Sequence, residues 1–171
     1  GCINVTTMGQ ERDGRDELIC RTMEKYELDV CAISETKWRK SGKVKIGDYM
    51  VYYSGVKEEE KKYGGVAVAI RSKLVGCVTS WQPIDERIMW LSCSAKNVSV
   101  TFVSCYAPTN EADDKSKEKF YQTLDQVVNG IPKRHMLVIM GDFNARVGDD
   151  YETWKGVMGK CGIIGEETTD N

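Results

Sequence analysis

Met136-Leu137-Val138-Ile139-Met140-Gly141-Asp142-Phe143-Asn144-Ala145 passes without interruption from an apolar run into a glycine and two polar side chains. An apolar run of this length reads as a strand buried on both faces, which places Asp142 and Asn144 at its C-terminal mouth. Two other segments repeat the design. Asp29-Val30-Cys31-Ala32-Ile33-Ser34 stops at Glu35-Thr36-Lys37-Trp38, and Val103-Ser104-Cys105 leads into Tyr106-Ala107-Pro108-Thr109. A solvated carboxylate at a strand mouth is common, so Glu35 or Asp142 taken singly says little. Tyr106 alone reads as an aromatic at the edge of a core. Their co-occurrence is what carries information.

Working outward, Ile3 to Val5 opens a strand, and the charged stretch Gln10 to Asp16 leads into a helix in which Ile19, Met23 and Tyr26 repeat at helical spacing. Further strands are expected over 49–53, 66–70, 76–81, 88–94 and 98–105, with turns at Gly64-Gly65, Gln82-Pro83 and Lys96-Asn97. Residues 110–117 read as polar connection, and Phe120, Leu124, Val127 and Val128 mark a second helix ending near Gly130. Residues 149–171 read as loop. The order of helix, many strands, helix and strand predicts an α/β sandwich of two mainly antiparallel sheets flanked by helices. The later glycines, 141, 148, 156, 159, 162 and 165, match neither a dinucleotide nor a Walker fingerprint.

With 171 residues and 41% hydrophobic content, one domain over 1–171 with one core is the expectation. No apolar stretch is long enough for a membrane span, and no signal-like segment opens the chain, which reads as intracellular, with no membrane partner. Cys2, Cys20, Cys31, Cys77, Cys93, Cys105 and Cys161 are odd in number and scattered through apolar runs, so reduced packing cysteines are expected. A net charge of −2 gives no overall attraction to nucleic acid. The local exception is Lys37, Arg39, Lys40, Lys43 and Lys45, five cations in nine positions without an acid, directly after Glu35. They read either as a solvated loop or as a phosphate-binding patch.

Taken in order, Ser34-Glu35-Thr36-Lys37, Tyr106-Ala107-Pro108-Thr109 and Gly141-Asp142-Phe143-Asn144-Ala145 resemble the signature motifs of the endonuclease/exonuclease/phosphatase superfamily, in its retrotransposon-type branch. Asn4-Val5 stands where that family's first strand supplies an asparagine. The resemblance implies a DNase I-like fold and Mg²⁺-dependent phosphodiester hydrolysis, with Mn²⁺ as an alternative cation. It implies Glu35 as the main metal ligand with Asn4 at the metal site as an amide-oxygen ligand or orienting group, Asp142 and Asn144 aligning the attacking water, and Tyr106 donating to a phosphate oxygen. DNA is the implied substrate, bound through the basic run, with a fused reverse transcriptase as a further partner and the nucleus as location. Ile3 and Thr6 depart from the tryptophan and the arginine or aspartate usual around that asparagine.

Relatives also carry further strands with an Asp-His couple, and nothing here matches Ser-Asp-His. The chain therefore reads as the larger, N-terminal part of such a domain, without its closing strands. His135, the single histidine, reads as a loop residue. Three readings stay open: a DNA endonuclease of a retroelement, a phosphatase or deadenylase of the same superfamily, and an inactive remnant that binds nucleic acid or a partner.

Overall fold

Strands β2 (Val30–Ser34) and β5 (Val66–Arg71) are apolar along nearly their whole length because both their faces are covered. On one face Cys31, Ile33, Ala67 and Ala69 pack against Cys20 and Met23 of helix α1 (Arg15–Lys25). On the other, Val66, Val68 and Ile70 meet Met89 and Leu91 of a second sheet. The fold is that of a computed structural model, which describes residues 1–8, 14–59, 64–146, 148–157 and 159–160.

The first sheet has the order β1-β2-β5-β4-β3, with β1 (Cys2–Asn4), β3 (Ser41–Ile46) and β4 (Tyr49–Ser54) added to the central pair. The second has the order β6-β7-β8-β9, with β6 (Val78–Pro83), β7 (Ile88–Ala95), β8 (Val98–Tyr106) and β9 (Met136–Asp142). Among the described strands β1–β2 and β8–β9 pair in parallel and the other strand pairs are antiparallel, with an isolated parallel bridge between Arg39 and Val56. Helix α2 (Asp114–Gly130) lays Phe120 and Leu124 on the outer face of the second sheet, against Ile88, Val103 and Cys105. The result is the expected sandwich, layered helix, sheet, sheet, helix.

Several expectations need correction. The run from Lys40 to Lys45 is not a loop throughout, since Ser41–Ile46 forms β3 at the outer edge of the first sheet. Its Ile46 is buried while Lys43 and Lys45 are exposed, and lysine on an edge strand discourages pairing with another chain. Gln82-Pro83 ends β6 rather than turning, because the edge position leaves no ladder bond for the proline to miss. Helix α2 starts inside the expected polar connection, where Asp113 accepts from the Ser116 backbone N–H at 2.9 Å and caps it. In α1 the buried side chains are Cys20 and Met23, and Tyr26 lies exposed just beyond the helix end.

Six cysteines are free thiols, three of them buried, and Cys161 lies outside the described residues. Burial pushes the Cys20 and Cys105 thiols up to about 12 and those of Cys31 and Cys93 up to about 11, so they pack as apolar groups and carry no thiolate at neutral pH. No helix among the described residues is long and apolar enough to cross a membrane.

Candidate active site

Parallel partners finish on the same side of a sheet, and this places the polar clusters together. Asn4 lies opposite Ser34 at the end of the β1–β2 pair, and Tyr106 opposite Asp142 at the end of the β8–β9 pair. Strand β1 also lies against β9 across the sandwich, so the two rims meet.

Backbone geometry then aims the side chains. Just past β2, Glu35 has φ 59° and Lys37 φ 56°, left-handed conformations that cost non-glycine residues about 1–3 kcal/mol each unless neighbours impose them. The neighbours here are Gly65 and Gly64, whose carbonyls accept from the Thr36 and Lys37 N–H groups at 3.0 and 2.8 Å. Gly141, at φ 142°, lets β9 close on β8, and a Cβ there would overlap the Cys105 carbonyl.

The central feature is the side-chain amide of Asn4. Its Nδ2 donates to Glu35 Oε1 and to Asp142 Oδ2, both at 2.8 Å, while its Oδ1 accepts from the Thr6 N–H at 3.1 Å. The Tyr106 hydroxyl donates to the same Glu35 oxygen at 3.0 Å. Asp142 Oδ1 accepts from the Asn144 N–H at 2.9 Å, and Asn144 Nδ2 donates to the Ala107 carbonyl at 2.8 Å. Asn4, Glu35, Tyr106, Asp142 and Asn144 thus form one connected group drawn from both sheets. Asn4 turns its nitrogen to the acids, an orienting posture, with its oxygen held by Thr6. Burial, then the hydrogen bond to Glu35 and the charge of that carboxylate, raise the Tyr106 phenol above its usual value. It stays a proton donor at neutral pH.

Arg87 belongs to the same neighbourhood and is not evident from sequence. Its Nη1 donates to the Tyr106 carbonyl at 3.1 Å, its own carbonyl accepts from the Tyr106 N–H at 2.8 Å, and its guanidinium stands 5.2 Å from the centre of the Tyr106 ring. Asp85 supports it, accepting from the Arg87 and Ile88 N–H groups at 2.8 Å each, and burial raises the Asp85 carboxyl. Asp85-Glu86-Arg87 reads as an ordinary charged turn between strands. Its nearness to Tyr106 follows from the register alone, which sets Ile88 opposite Cys105.

The basic run does not stay together. Lys37 follows the site directly, Arg39 donates to the Lys57 carbonyl at 3.0 Å, and Lys40 pairs with Glu58 at 2.9 Å. Lys43 and Lys45 lie along the β3 edge, at the opposite end of the first sheet from β1. His135 is bonded to Thr101 Oγ1 at 2.9 Å near the start of β9, whereas Asp142 ends that strand.

The residues fit a hard divalent cation. Glu35 and Asp142 each direct a carboxylate oxygen to a common point now bridged by an N–H donor, and the nearby donors are oxygens, which favours Mg²⁺ or Mn²⁺ over zinc. Among the described residues no three His, Cys, Asp or Glu side chains cluster. An ion at this pair would keep several waters, as Mg²⁺ commonly does.

The profile of the Endonuclease/Exonuclease/phosphatase family matches residues 9–158. The chain belongs to this family. Its members are generally dependent on a divalent metal and include phosphodiester-cleaving enzymes. Craniofacial development protein 2 of Bos taurus is 26% identical over 162 residues, covering 95% of this chain and 27% of that protein, so the chain spans about a quarter of this curated relative. Among solved structures, the AP endonuclease LMAP from Leishmania major superposes with a TM-score of 0.58 at 14% identity, covering 85% of this chain and 54% of that one. The endonuclease domain of TRAS1, a telomere-specific non-LTR retrotransposon, gives 0.56 at 18% identity, covering 91% and 63%. Both likenesses establish the DNase I-like fold.

Proposed function

We propose that this family member hydrolyses phosphodiester bonds in DNA with Mg²⁺, as the endonuclease of a retroelement. The observation that carries the reading is the Asn4 amide between Glu35 and Asp142, which gathers one acid from each sheet around a single point. Glu35, with Asn4 orienting it, would hold the cation, which supplies Lewis acidity and charge neutralisation at the phosphate. Asp142, itself fixed by Asn144, accepts a proton from the attacking water, whose oxygen bonds to phosphorus as the opposite P–O bond breaks and the departing oxygen leaves as a hydroxyl, protonated from solvent. Tyr106 donates its hydroxyl to a phosphate oxygen as charge develops there. Likeness to the TRAS1 domain and the Ser34-Glu35-Thr36-Lys37-Trp38 spelling support a retroelement origin, and with it a fused reverse transcriptase and action in the nucleus.

The test is nicking of supercoiled plasmid with Mg²⁺, with Mn²⁺ and with EDTA. Cation-dependent conversion to open circle, lost in Asp142→Asn, is the expected result. A second reading is DNA binding without turnover. Binding with no nicking under either cation would select it. Turnover of small phosphate monoesters, with plasmid untouched, would select a phosphatase instead.

A further inference from the structure

Arg87 also lines a cavity of about 640 Å³, within the range of roughly 300–1,000 Å³ typical of ligand clefts. Four elements bring cations to its lining: Lys40 before β3, Lys57 after β4, Arg87 before β7 and Lys119 on α2. Its acids are Asp85 and Glu86. The Asp85 carboxylate is turned to the Arg87 and Ile88 backbone N–H groups, so four cations face two acids across the lining. A cationic lining on a chain of net charge −2 marks a local, anion-selective feature. Lys40 is paired with Glu58, but both groups are mostly exposed, and such a pair yields readily to a phosphate.

We propose that this trough takes the sugar-phosphate backbone of the DNA flanking the bond to be cut. The proposal rests on the nuclease reading above. Arg87 links the two: it lines the trough, its guanidinium lies over the Tyr106 ring, and Tyr106 donates to Glu35. The track is assembled in space from distant parts of the sequence. It leaves out Lys43 and Lys45, which the contiguous basic run would have included.

The experiment measures binding of a fluorescent duplex DNA by the whole chain in EDTA across a salt series, which needs neither metal nor turnover. It compares wild type, Lys57→Gln/Lys119→Gln and Lys43→Gln/Lys45→Gln. The trough pair should weaken binding and flatten the log–log salt slope by about 1 per lysine removed, while the edge pair leaves both unchanged. Equal binding by wild type and the trough pair overturns the trough but leaves the nuclease reading to the nicking assay. A loss confined to the edge pair also overturns it. Absence of salt-dependent binding by wild type overturns the trough, and the nuclease reading falls only if cation-dependent nicking is absent as well.

Discussion

Asn4 and Asp142 are 138 residues apart in sequence, yet an amide hydrogen of the first donates to a carboxylate oxygen of the second at 2.8 Å. The same amide nitrogen holds Glu35. Replacing Asn4 with Ala should leave two carboxylates facing one another with no donor between them. Nicking is expected to fall on the order of 10²-fold, the usual cost of one preorganised hydrogen-bond donor. Unchanged rates would remove Asn4 from the catalytic group.

Glu35→Gln should weaken Mg²⁺ binding, because a neutral amide offers less to a hard cation. Calorimetric titration reads this directly, and an affinity equal to wild type would contradict the ligand assignment.

The Tyr106 phenol supplies a test that needs no activity. Burial and Glu35 raise it and Arg87 opposes them, so Glu35→Gln should shift its titration down and Arg87→Met should shift it up. Tyrosine-labelled NMR, with Tyr106→Phe to assign the signal, reads both signs. Because the folded value lies above the unfolded one, this phenol contributes stability that is present below the usual tyrosine value of about 10 and lost as pH rises through the folded value. Shifts in the same direction for both variants would mean the contacts are misassigned.

Asp85→Ala should destabilise the fold by about 1–3 kcal/mol, since the Arg87 and Ile88 N–H groups lose their acceptor. Asp85→Asn keeps an acceptor and drops a charge that burial disfavours. Because the folded Asp85 carboxyl is raised, wild type should lose stability relative to Asp85→Asn as pH rises from about 4 through the folded value. Thermal melts across that window decide the point.

At Gly141, alanine must adopt φ 142° and bring a Cβ onto the Cys105 carbonyl. A loss of more than about 1–3 kcal/mol is expected, together with poorer Mg²⁺ binding as β9 draws away from β8. Denaturant unfolding and calorimetry measure the two effects.

The strand mouths were legible because apolar runs that end abruptly in acids and amides leave a strong local mark. Glu35, Tyr106, Asp142 and Asn144 could all be named that way, and the structure brings them together with Asn4. Strand β3 was not legible, since its lysines serve the edge of a sheet and mask the alternation of Val44 and Ile46. Arg87 was missed for a different reason. Its partner Tyr106 is a neighbour only through the β7–β8 register, and pairing across strands leaves no trace in the local spelling.

Each sheet contributes one acid, Glu35 following β2 and Asp142 ending β9, and the layer between them is the cluster of Val66, Val68, Ile70, Met89 and Leu91. That layer holds the two sheets apart, and the Asn4 amide bridges the two carboxylates at their rim. A buried leucine cut to alanine, Leu91 for example, costs about 2–5 kcal/mol and lets the layer settle. The proposed metal site would then drift out of tune while the fold still stands, so sequence change deep in the sandwich would silence the proposed chemistry without touching any residue assigned to it.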